Sequence, residues 1–550
     1  MTTYIAPPAA GSTRIVAGYG PWFDPTAPLF GASTASTNNN AAIAATMAAA
    51  VTAGGGIVLF PDGVFKVVSS ARTDAVTYGG GGSLTVTDAS CVAGDVGSYC
   101  LGVGINGKEP IILTVNPGVS FTVDVAPIGV PTSLTLVKPA IVLPPRVTIV
   151  GAGSSAGNTV NWNSGAPSSQ ILDTGTGVTC LVRGSVSGTY VFPYSMQDIA
   201  IIGQNTNLYG LYMGNFTAFL TAERCHFGHH GVAGVAMDAN VNSNNFTDCR
   251  FFTNGTVGAT IITGGVLLHP YWVQASAACN FFTCFFDDNY GFGITDGGVG
   301  AVGVNLYGCQ FNTTRATAYV GGGAFAPSGT AANLRTDSFG NAAVYGGWSE
   351  TAATYDVWAI GNVLLSGFRM NSSTAKAIHV GTLGCATLIS CYSSGHTTMV
   401  EFGSSGNISW HGCTCTDGST GITGVSVAQM NGMGTTLGGM LLAGGPFVGV
   451  MSTDAFSGAI TITVDSTKGN THKINCTSNT ASTLTPSAAG VAGQWLWLII
   501  TADVTGGNVI TFASTFRPNG TLTTTASKAA IVGFVSDGTN WFEMSRIAAV

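Results

Sequence analysis

The sequence has few charged residues. They make up 8% of its 550 residues, with 18 lysines and arginines against 25 acids, and the formal net charge is −7. A chain so poor in basic residues offers no positive surface for nucleic acid, and we expect no nucleic-acid partner. The small number of acids also limits the candidates for general acid or base catalysis.

Long apolar runs and a secretory leader are also missing. No apolar run reaches the roughly 18–20 residues of a membrane span, although 45% of the residues are hydrophobic. The first residues, Met1-Thr-Thr-Tyr, lack the basic start and apolar core of a signal peptide. We therefore expect no membrane insertion and predict that the protein leaves its cell by a route other than secretion.

The cysteines do not form the pattern of a disulfide scaffold or a zinc site. There are 13 in a chain of 550 residues, an odd number in a sequence too long for such a scaffold. Cys413 and Cys415 have no second pair at zinc spacing. We predict buried thiols that act as small apolar groups, with no metal centre and no cofactor. The sequence leaves undecided whether Cys91 and Cys100, in a glycine-rich loop, form a disulfide.

The sequence does contain a short repeated motif, called the phrase below, in which an aromatic residue usually follows a cysteine by two positions. The cysteines of the phrase are Cys225, Cys249, Cys284, Cys309, Cys391 and Cys413. Steps of 24, 35, 25 and 22 residues separate those that follow one another directly, as in a solenoid. Residues two apart share one side of a strand. The phrase therefore predicts a right-handed parallel β-helix with the cysteines pointing inward.

The N-terminal region predicts an arm and then a cap. Residues 1–25 are rich in proline and alanine, and we interpret them as an attachment arm. An alanine-rich helix near 38–52 begins with an asparagine cap, and Gly54-Gly-Gly-Ile-Val-Leu-Phe-Pro-Asp-Gly follows as a turn and a strand. This order resembles the opening of pectate-lyase-superfamily β-helix proteins, which implies that the helix covers the end of the solenoid.

The predicted solenoid occupies residues 26–420. Residues 71–110 look like an insertion, after which coils are predicted to resume at Ile111 and Val119. A glycine- and methionine-rich linker, 421–450, leads to alternating strands in 451–550, which predict an antiparallel β-sandwich with a hairpin turn at residues 536–540. This module is similar to a sandwich at the C-termini of many phage tail-fibre proteins.

Four acids are candidates for catalysis, because glycoside cleavage needs two carboxylates across a sugar. They are Asp287, Asp288, Asp248 and Glu223. The Asp287-Asp288 pair resembles the paired aspartates of polygalacturonase-type β-helix hydrolases, although the neighbouring histidines, 229–230, precede the aspartates here. The alternative is that this pair hydrogen-bonds the backbone of its own corner.

Aromatic residues near acids predict sugar binding, because rings stack on sugars and carboxylates accept hydrogen bonds from hydroxyls. The alternative for these residues is packing within the solenoid or between subunits. Trp495 and Trp497, which share one strand face, are predicted to lie in the core. The substrate-binding candidates are Trp348, Tyr355, Glu350, Asp356, Tyr271 and Trp272.

A capping helix, a β-helix and a phage-type sandwich together resemble a bacteriophage tailspike. The resemblance implies a homotrimer in the virion, assembled in the host cytoplasm and attached through its N-terminus to other tail or baseplate proteins. It also implies binding of a host cell-surface polysaccharide during adsorption. Whether the chain is an enzyme, a glycoside hydrolase or a polysaccharide lyase, stays open. The alternatives are a purely structural virion protein and a free polysaccharide hydrolase or lyase.

Overall fold

The structure is a computed structural model that forms two compact units. One contains Met1–Asn407 and Cys415–Gly424, and the other contains Ile408–Thr414 and Val425–Val550. The residues that the structure describes are 15–16, 20–80, 82–101, 110–124, 126–127, 131–152, 169–182, 193–214, 217–237, 241–255, 263–268, 276–296, 302–312, 331–336, 341–350, 352, 354–371, 376–381, 384–396, 398–402, 407–411, 413–415, 422–423, 430–433, 435–437, 440–442, 445–446, 451–456, 461–464, 471–476, 481–486 and 493–548.

The first unit is a right-handed parallel β-helix, as the repeated phrase predicts. Each rung contributes one strand to sheet 1, then one to sheet 2 and one to sheet 3. Sheet 1 contains Ile15–Val16, Gly20–Phe23, Gly56–Phe60, Val147–Gly151, Tyr194–Gln197, Leu220–Glu223, Asn244–Thr247, Ser276–Phe282, Val302–Tyr307, Asn341–Tyr345, Asn362–Ser366 and Cys385–Ile389. Sheet 2 contains Gly63–Val67, Ser169–Asp173, Ala200–Ile202, His226–Gly228, Arg250–Phe252, Phe285–Asp287, Gln310–Asn312, Trp348–Glu350, Arg369–Asn371 and Tyr392–Ser394. Sheet 3 contains Ile141–Leu143, Val178–Val182, Tyr209–Met213, Ala233–Met237, Gly264–Leu268, Phe292–Asp296, Ala332–Thr336, Tyr355–Ala359, Lys376–Val380, Thr398–Phe402 and Ile422–Thr423.

The ladder cysteines lie at the corner between sheets 1 and 2, and they point into the core. Cys249, Cys284 and Cys309 are buried, and each thiol donates a hydrogen bond of 3.3 Å to a carbonyl of the preceding rung. The residue before the cysteine has a left-handed backbone, with φ of 52° at Asp248. Asp and Gly tolerate this conformation better than most residues, which explains their recurrence in the phrase.

The aromatic residues of the phrase stack along the axis inside sheet 2. Phe251 lies parallel to Phe227 and to Phe286, with ring centroids 5.6 Å and 5.0 Å away. Phe286 continues the column to Phe311 at 4.7 Å. In-register parallel strands place equivalent positions at the rung spacing, so each ring stacks on the equivalent ring of the next rung.

A second internal ladder fills the corner between sheets 2 and 3. His230, Asn254 and Asn289 occupy the same position on three successive rungs and are buried. Asn254 Nδ2 donates to the carbonyl of Phe227 and to Asn289 Oδ1, at 3.0 and 3.1 Å. These side chains satisfy backbone groups that the chain leaves unpaired where it bends.

One helix, Asn40–Thr52, packs against the first rungs of the solenoid and buries Ile43 and Met47. The N-cap residue is Asn39, as an asparagine was expected there, but its side chain makes no capping hydrogen bond, and Asn38 Oδ1 accepts one of 2.9 Å from the Asn40 N–H. The helix shields apolar rung ends from water. In the part of the chain that the structure describes, no helix has the length and hydrophobicity of a membrane span.

The insertion is longer than the sequence pattern indicates. The described strands between residues 70 and 138 form two three-stranded antiparallel sheets around their own core, so the prediction that coils resume at Ile111 and Val119 is wrong. An apolar alternation marks a strand but does not specify its partner. Cys91 and Cys100 are free thiols in this core. The elements are Ser70–Ala75, Thr85–Thr87, the 3₁₀ turn Ala93–Asp95, Tyr99–Leu101, Ile112–Asn116, Ser120–Val123 and Ser133–Lys138.

The second unit contains a two-sheet sandwich. One sheet contains Met451–Phe456, Thr471–Cys476, Trp495–Thr501, Ala529–Ser536, Trp541–Ile547 and Phe516–Arg517, and the other contains Thr461–Val464, Ser482–Pro486, Val509–Phe512 and Leu522–Thr523. Shorter strands precede them at Asn407–His411 and Thr414–Cys415. The stretch expected to be a linker, 421–450, also contains strands, at Met430–Met433, Thr435–Leu437, Met440–Leu442 and Gly445–Pro446.

The strand directions of the sandwich differ from the expected antiparallel order. The first three strands of each sheet pair in parallel, because the chain alternates between the sheets and enters each one from the same end. The last hairpin is antiparallel and turns at residues 536–540, as predicted. The prediction that Trp495 and Trp497 lie in the core is wrong. Leu496 and Leu498 point inward, and Trp495 is 44% exposed.

Candidate functional site

The four candidate catalytic acids lie at two different corners of the solenoid. Glu223 and Asp248 lie where sheet 1 meets sheet 2, and Asp287 and Asp288 lie where sheet 2 meets sheet 3. A three-residue strand of sheet 2, roughly 10 Å long, separates the two corners. The structure therefore does not bring the four together as one site.

Each of these acids has a local role. Glu223 forms an ion pair with Arg224, and Asp248 accepts a hydrogen bond from the Thr283 hydroxyl. Asp287 forms an ion pair with Arg250 of the preceding rung. Asp288 has a left-handed φ of 56° and holds the corner just before the ladder residue Asn289. Only the Asp287 side chain shares a surface with other site candidates.

That surface is the outer face of sheet 2. On five successive rungs the middle residue of each strand points inward, and the first and third point outward. We call the outward set the sheet 2 strip. It consists of Phe285, Gln310, Trp348, Arg369 and Tyr392 in one column and Asp287, Asn312, Glu350, Asn371 and Ser394 in the other.

The strip has the length and width to contact a linear polymer that lies along the solenoid axis. Parallel rungs are about 4.8 Å apart, so five rungs span roughly 19 Å, and the two columns are about 7 Å apart. Trp348 is 39% exposed. Among the described residues, no other aromatic ring stacks on it. The Glu350 carboxylate lies two residues further along the same strand, on the same face, and is half-buried. An aromatic ring beside hydrogen-bonding groups is an arrangement that can hold a sugar.

Trp348 and Glu350 were identifiable from the sequence, but most of the strip was not. Arg369, Tyr392 and Asn371 were missed because none of them stands near an acid or in an insertion. The signal was present in the repeated phrase. The residues one and three positions after each ladder position must point outward on sheet 2, and reading them rung by rung gives the strip.

The outer face of sheet 1 differs from this strip. Phe282, Tyr307 and Tyr345 stack face to face along the axis, with centroids 4.9 Å and 5.2 Å apart. Beside them, Asn280 donates to Asn245 Oδ1 at 3.0 Å and accepts from Asn305 at 2.9 Å. The ring faces are covered by their neighbours and the amides hydrogen-bond to one another. The outer face of sheet 1 is therefore less suited to bind a ligand than the sheet 2 strip.

Asp356 is buried inside the solenoid. Its carboxylate lies within hydrogen-bonding distance of His396 Nε2, the Nδ1 of the same imidazole lies 3.0 Å from the Ser393 hydroxyl, and Asp356 Oδ1 accepts a hydrogen bond from the Ser349 hydroxyl. The side chains of Asp356 and His396 are fully buried, so this serine–histidine–aspartate set has no access to a polymer and fills a polar corner. Tyr271 and Trp272 lie outside the described residues.

Tyr355 belongs to a polar cluster on the outer face of sheet 3. Its hydroxyl donates to Glu401 Oε2 at 2.5 Å, His379 Nδ1 lies 3.1 Å from the same oxygen, and Lys376 forms an ion pair with Oε1. Burial alone would raise the pKa of the Glu401 carboxyl, but the hydrogen bonds from Lys376, Tyr355 and His379 outweigh it and hold the pKa below its ordinary value. The carboxylate is therefore ionised and fully engaged.

The three neighbouring histidines do not converge. His230 points into the internal ladder, where burial lowers the pKa of its imidazole to about 3. Burial, with a smaller contribution from Arg250, lowers the pKa of His226 to about 4, and burial also lowers that of His229. Across the described ranges, no group of three or more His, Cys, Asp or Glu is arranged to hold a metal ion.

The chain is thus a parallel β-helix protein with a polar and aromatic strip on one face. No known protein family and no curated protein matches its sequence. Among solved structures, ORF18 of Geobacillus virus E2 is similar at 12% identity and a TM-score of 0.41, covering 96% of this chain and 77% of that one.

Two further structures represent the kinds of protein that the chain resembles. The tailspike protein of Acinetobacter phage vB_ApiP_P1 is 12% identical, with a TM-score of 0.39 over 96% of this chain and 79% of that one. The A-module of mannuronan C-5 epimerase AlgE6 from Azotobacter vinelandii is 12% identical, with a TM-score of 0.37 over 75% and 98%. The TM-scores of these three structures lie below 0.5, so they show no more than a similar fold.

Proposed function

We propose that the protein is a virion appendage of the tailspike type that binds a host cell-surface polysaccharide along the sheet 2 strip. The observation that carries the proposal is the continuity of the strip. Five consecutive rungs present outward rings, amides and charges in two columns. A linear polysaccharide laid along the solenoid axis meets a new pair of side chains about every 4.8 Å.

The chemistry of the strip suits sugars better than it suits a protein partner. A sugar ring has apolar faces and a rim of hydroxyls, so it needs flat apolar contacts with hydrogen-bonding groups beside them. Trp348 and Tyr392 supply the flat contacts on alternate rungs. Asn312, Glu350 and Asn371 supply donors and acceptors along the second column, all of them half-exposed.

The proposal is tested by comparing two exposed aromatic residues. Trp348 and Tyr345 are 39% and 41% exposed, but Tyr345 belongs to the stacked rings of sheet 1. The wild type, Trp348→Ala and Tyr345→Ala proteins are applied to an array of purified bacterial capsular and O-antigen polysaccharides. We expect the wild type and Tyr345→Ala to bind the same polysaccharide and Trp348→Ala to bind it at least tenfold more weakly. Equal binding by all three proteins would refute the strip as the binding site.

Assembly and location are part of the same proposal. The tailspike-like order of capping helix, β-helix and C-terminal sandwich in the sequence supports a homotrimer, built in the host cytoplasm, that joins other tail or baseplate proteins through residues 1–25 and acts during adsorption. Light scattering before and after mild detergent without boiling measures the mass. We expect a stable species near three times 55.7 kDa, and a clean monomer would refute the trimer.

Cleavage of the bound polysaccharide is a separate proposal with its own candidates. Asp287 and Glu350 share one column and are two rungs apart, which places their backbones roughly 9–10 Å apart. Inverting glycosidases place their two carboxyls about 6.5–9.5 Å apart, so these side chains have a suitable reach. If the strip is catalytic, Asp287→Asn and Glu350→Gln should abolish the release of reducing ends and retain binding. Glu223→Gln, at the other corner, serves as the control.

A further inference from the structure

Arg369 occupies the central position of an aromatic part of the sheet 2 strip. Its strand pairs with the strand of Trp348 on one side and with that of Tyr392 on the other, residue opposite residue. The Arg369 side chain is exposed, and its guanidinium carbon lies 5.3 Å from the centroid of the Tyr392 ring. The guanidinium therefore lies against the Tyr392 ring on the outside of the solenoid, and Trp348 occupies the rung on its other side.

Several arginines of the chain pair with carboxylates, and among the described residues Arg369 does not. Arg224 binds Asp198, Arg250 binds Asp287 and Arg546 binds Glu543. In the parts of the chain that the structure describes, no carboxylate lies within ion-pair distance of Arg369. The guanidinium keeps its planar set of donors available, and its contact with Tyr392 orients it without using its in-plane N–H groups.

We propose that the polysaccharide bound by the strip contains a sugar residue with a carboxylate, and that Arg369 binds this carboxylate. The inference rests on the proposed function of the strip. If one sugar stacks on Trp348 and another on Tyr392, the sugar between them lies over the rung of Arg369. The carboxylate of that sugar can then contact the guanidinium. A guanidinium matches a carboxylate with two parallel hydrogen bonds.

The charge near Arg369 favours a carboxylate over a phosphate. Arg369 supplies one positive charge, and Glu350 stands on the neighbouring rung in the second column with no ion-pair partner among the described residues. The two charges sum to zero, so a monoanion that pairs with Arg369 leaves one negative charge at the site, whereas a dianionic phosphate leaves two. A carboxylated sugar also offers hydroxyls that donate hydrogen bonds to the Glu350 carboxylate.

The test uses matched polymers that differ only in the carboxylate. Alginate, polygalacturonate, hyaluronan and polysialic acid are each compared with their carboxyl-reduced forms, beside the neutral polymers dextran and mannan, by affinity electrophoresis. We expect the wild type to bind at least one acidic polymer roughly tenfold to a hundredfold more tightly than its reduced form, as loss of a charge-assisted hydrogen-bond pair predicts. The preference should weaken as salt is raised.

Variants separate this inference from the proposed function. Arg369→Gln should lose the preference for the acidic form, Arg369→Lys should retain part of it, and Trp348→Ala should bind both forms weakly. Wild-type binding to neutral polymers alone, or an unchanged preference in Arg369→Gln, would overturn the inference and leave the strip as a glycan site. Binding to none of the polymers would count against the proposed function itself.

Discussion

Replacing His230 with asparagine should make the protein more resistant to acid. His230 is fully buried in the corner ladder, where Asn207 Nδ2 lies 2.7 Å from its Nδ1. Burial lowers the pKa of the imidazole from 6.5 to about 3. Between these two pH values the unfolded chain binds a proton that the folded chain does not, so stability falls as the pH drops from 6.5 towards 3. At pH 5 the loss is about 2 kcal/mol, from 1.5 pH units at about 1.36 kcal/mol each.

Asparagine is the matched replacement, because Asn254 and Asn289 already fill the same position on the next two rungs. Its amide oxygen can accept the hydrogen bond from Asn207. Guanidinium unfolding followed by tryptophan fluorescence at pH 7.5 and 5.0 should show a pH-dependent loss about 2 kcal/mol smaller in His230→Asn than in the wild type. The reciprocal change, Asn254→His, should enlarge the loss. If His230→Asn and the wild type lose the same stability over this pH range, the imidazole is not held neutral by burial.

Three further predictions concern the core and the surface. Phe251→Ala removes a fully buried ring stacked between Phe227 and Phe286 and should lower the free energy of unfolding by about 3–5 kcal/mol; a loss below about 1 kcal/mol would contradict the stacked column. Glu401→Gln should lower the melting temperature at pH 7, because the hydrogen bonds that depress the pKa of this carboxyl stabilise the fold while it is ionised. The difference from the wild type should shrink as the pH falls below 4.5, and a difference that stays constant on acidification would contradict this. The buried ladder thiols should react with a thiol reagent only after unfolding, and rapid reaction of the native protein would show that the corner is open.

Much of the solenoid was predictable because its rules are local. The cysteine spacing predicts the rung length, and the alternation around Cys249 and Phe251 predicts which side chains face inward. The left-handed corner residue is also a local requirement, met by Asp248 and by its counterparts on other rungs. These features depend on residues a few positions apart, so one sequence contains the information.

The candidate site was only partly predictable. Trp348, Glu350 and Asp287 were identified as single residues, but their common face follows from the register between rungs. Asp356 was chosen for its aromatic neighbours, yet it stands at an inward position of its strand and is buried. Arg369 attracted no attention, because its neighbours on the strip come from rungs more than 20 residues away in sequence.

The sequence by itself determined the winding of the chain, the capping helix, the final hairpin and the inward column of cysteines and rings. The reason is that side-chain alternation and turn chemistry act between near neighbours. Only the tertiary structure decided which strands pair, in which direction they run and which outward residues become adjacent. Stacking of the rungs sets these contacts, since it places residues distant in sequence about 4.8 Å apart and so assembles the strip that we propose as the binding site.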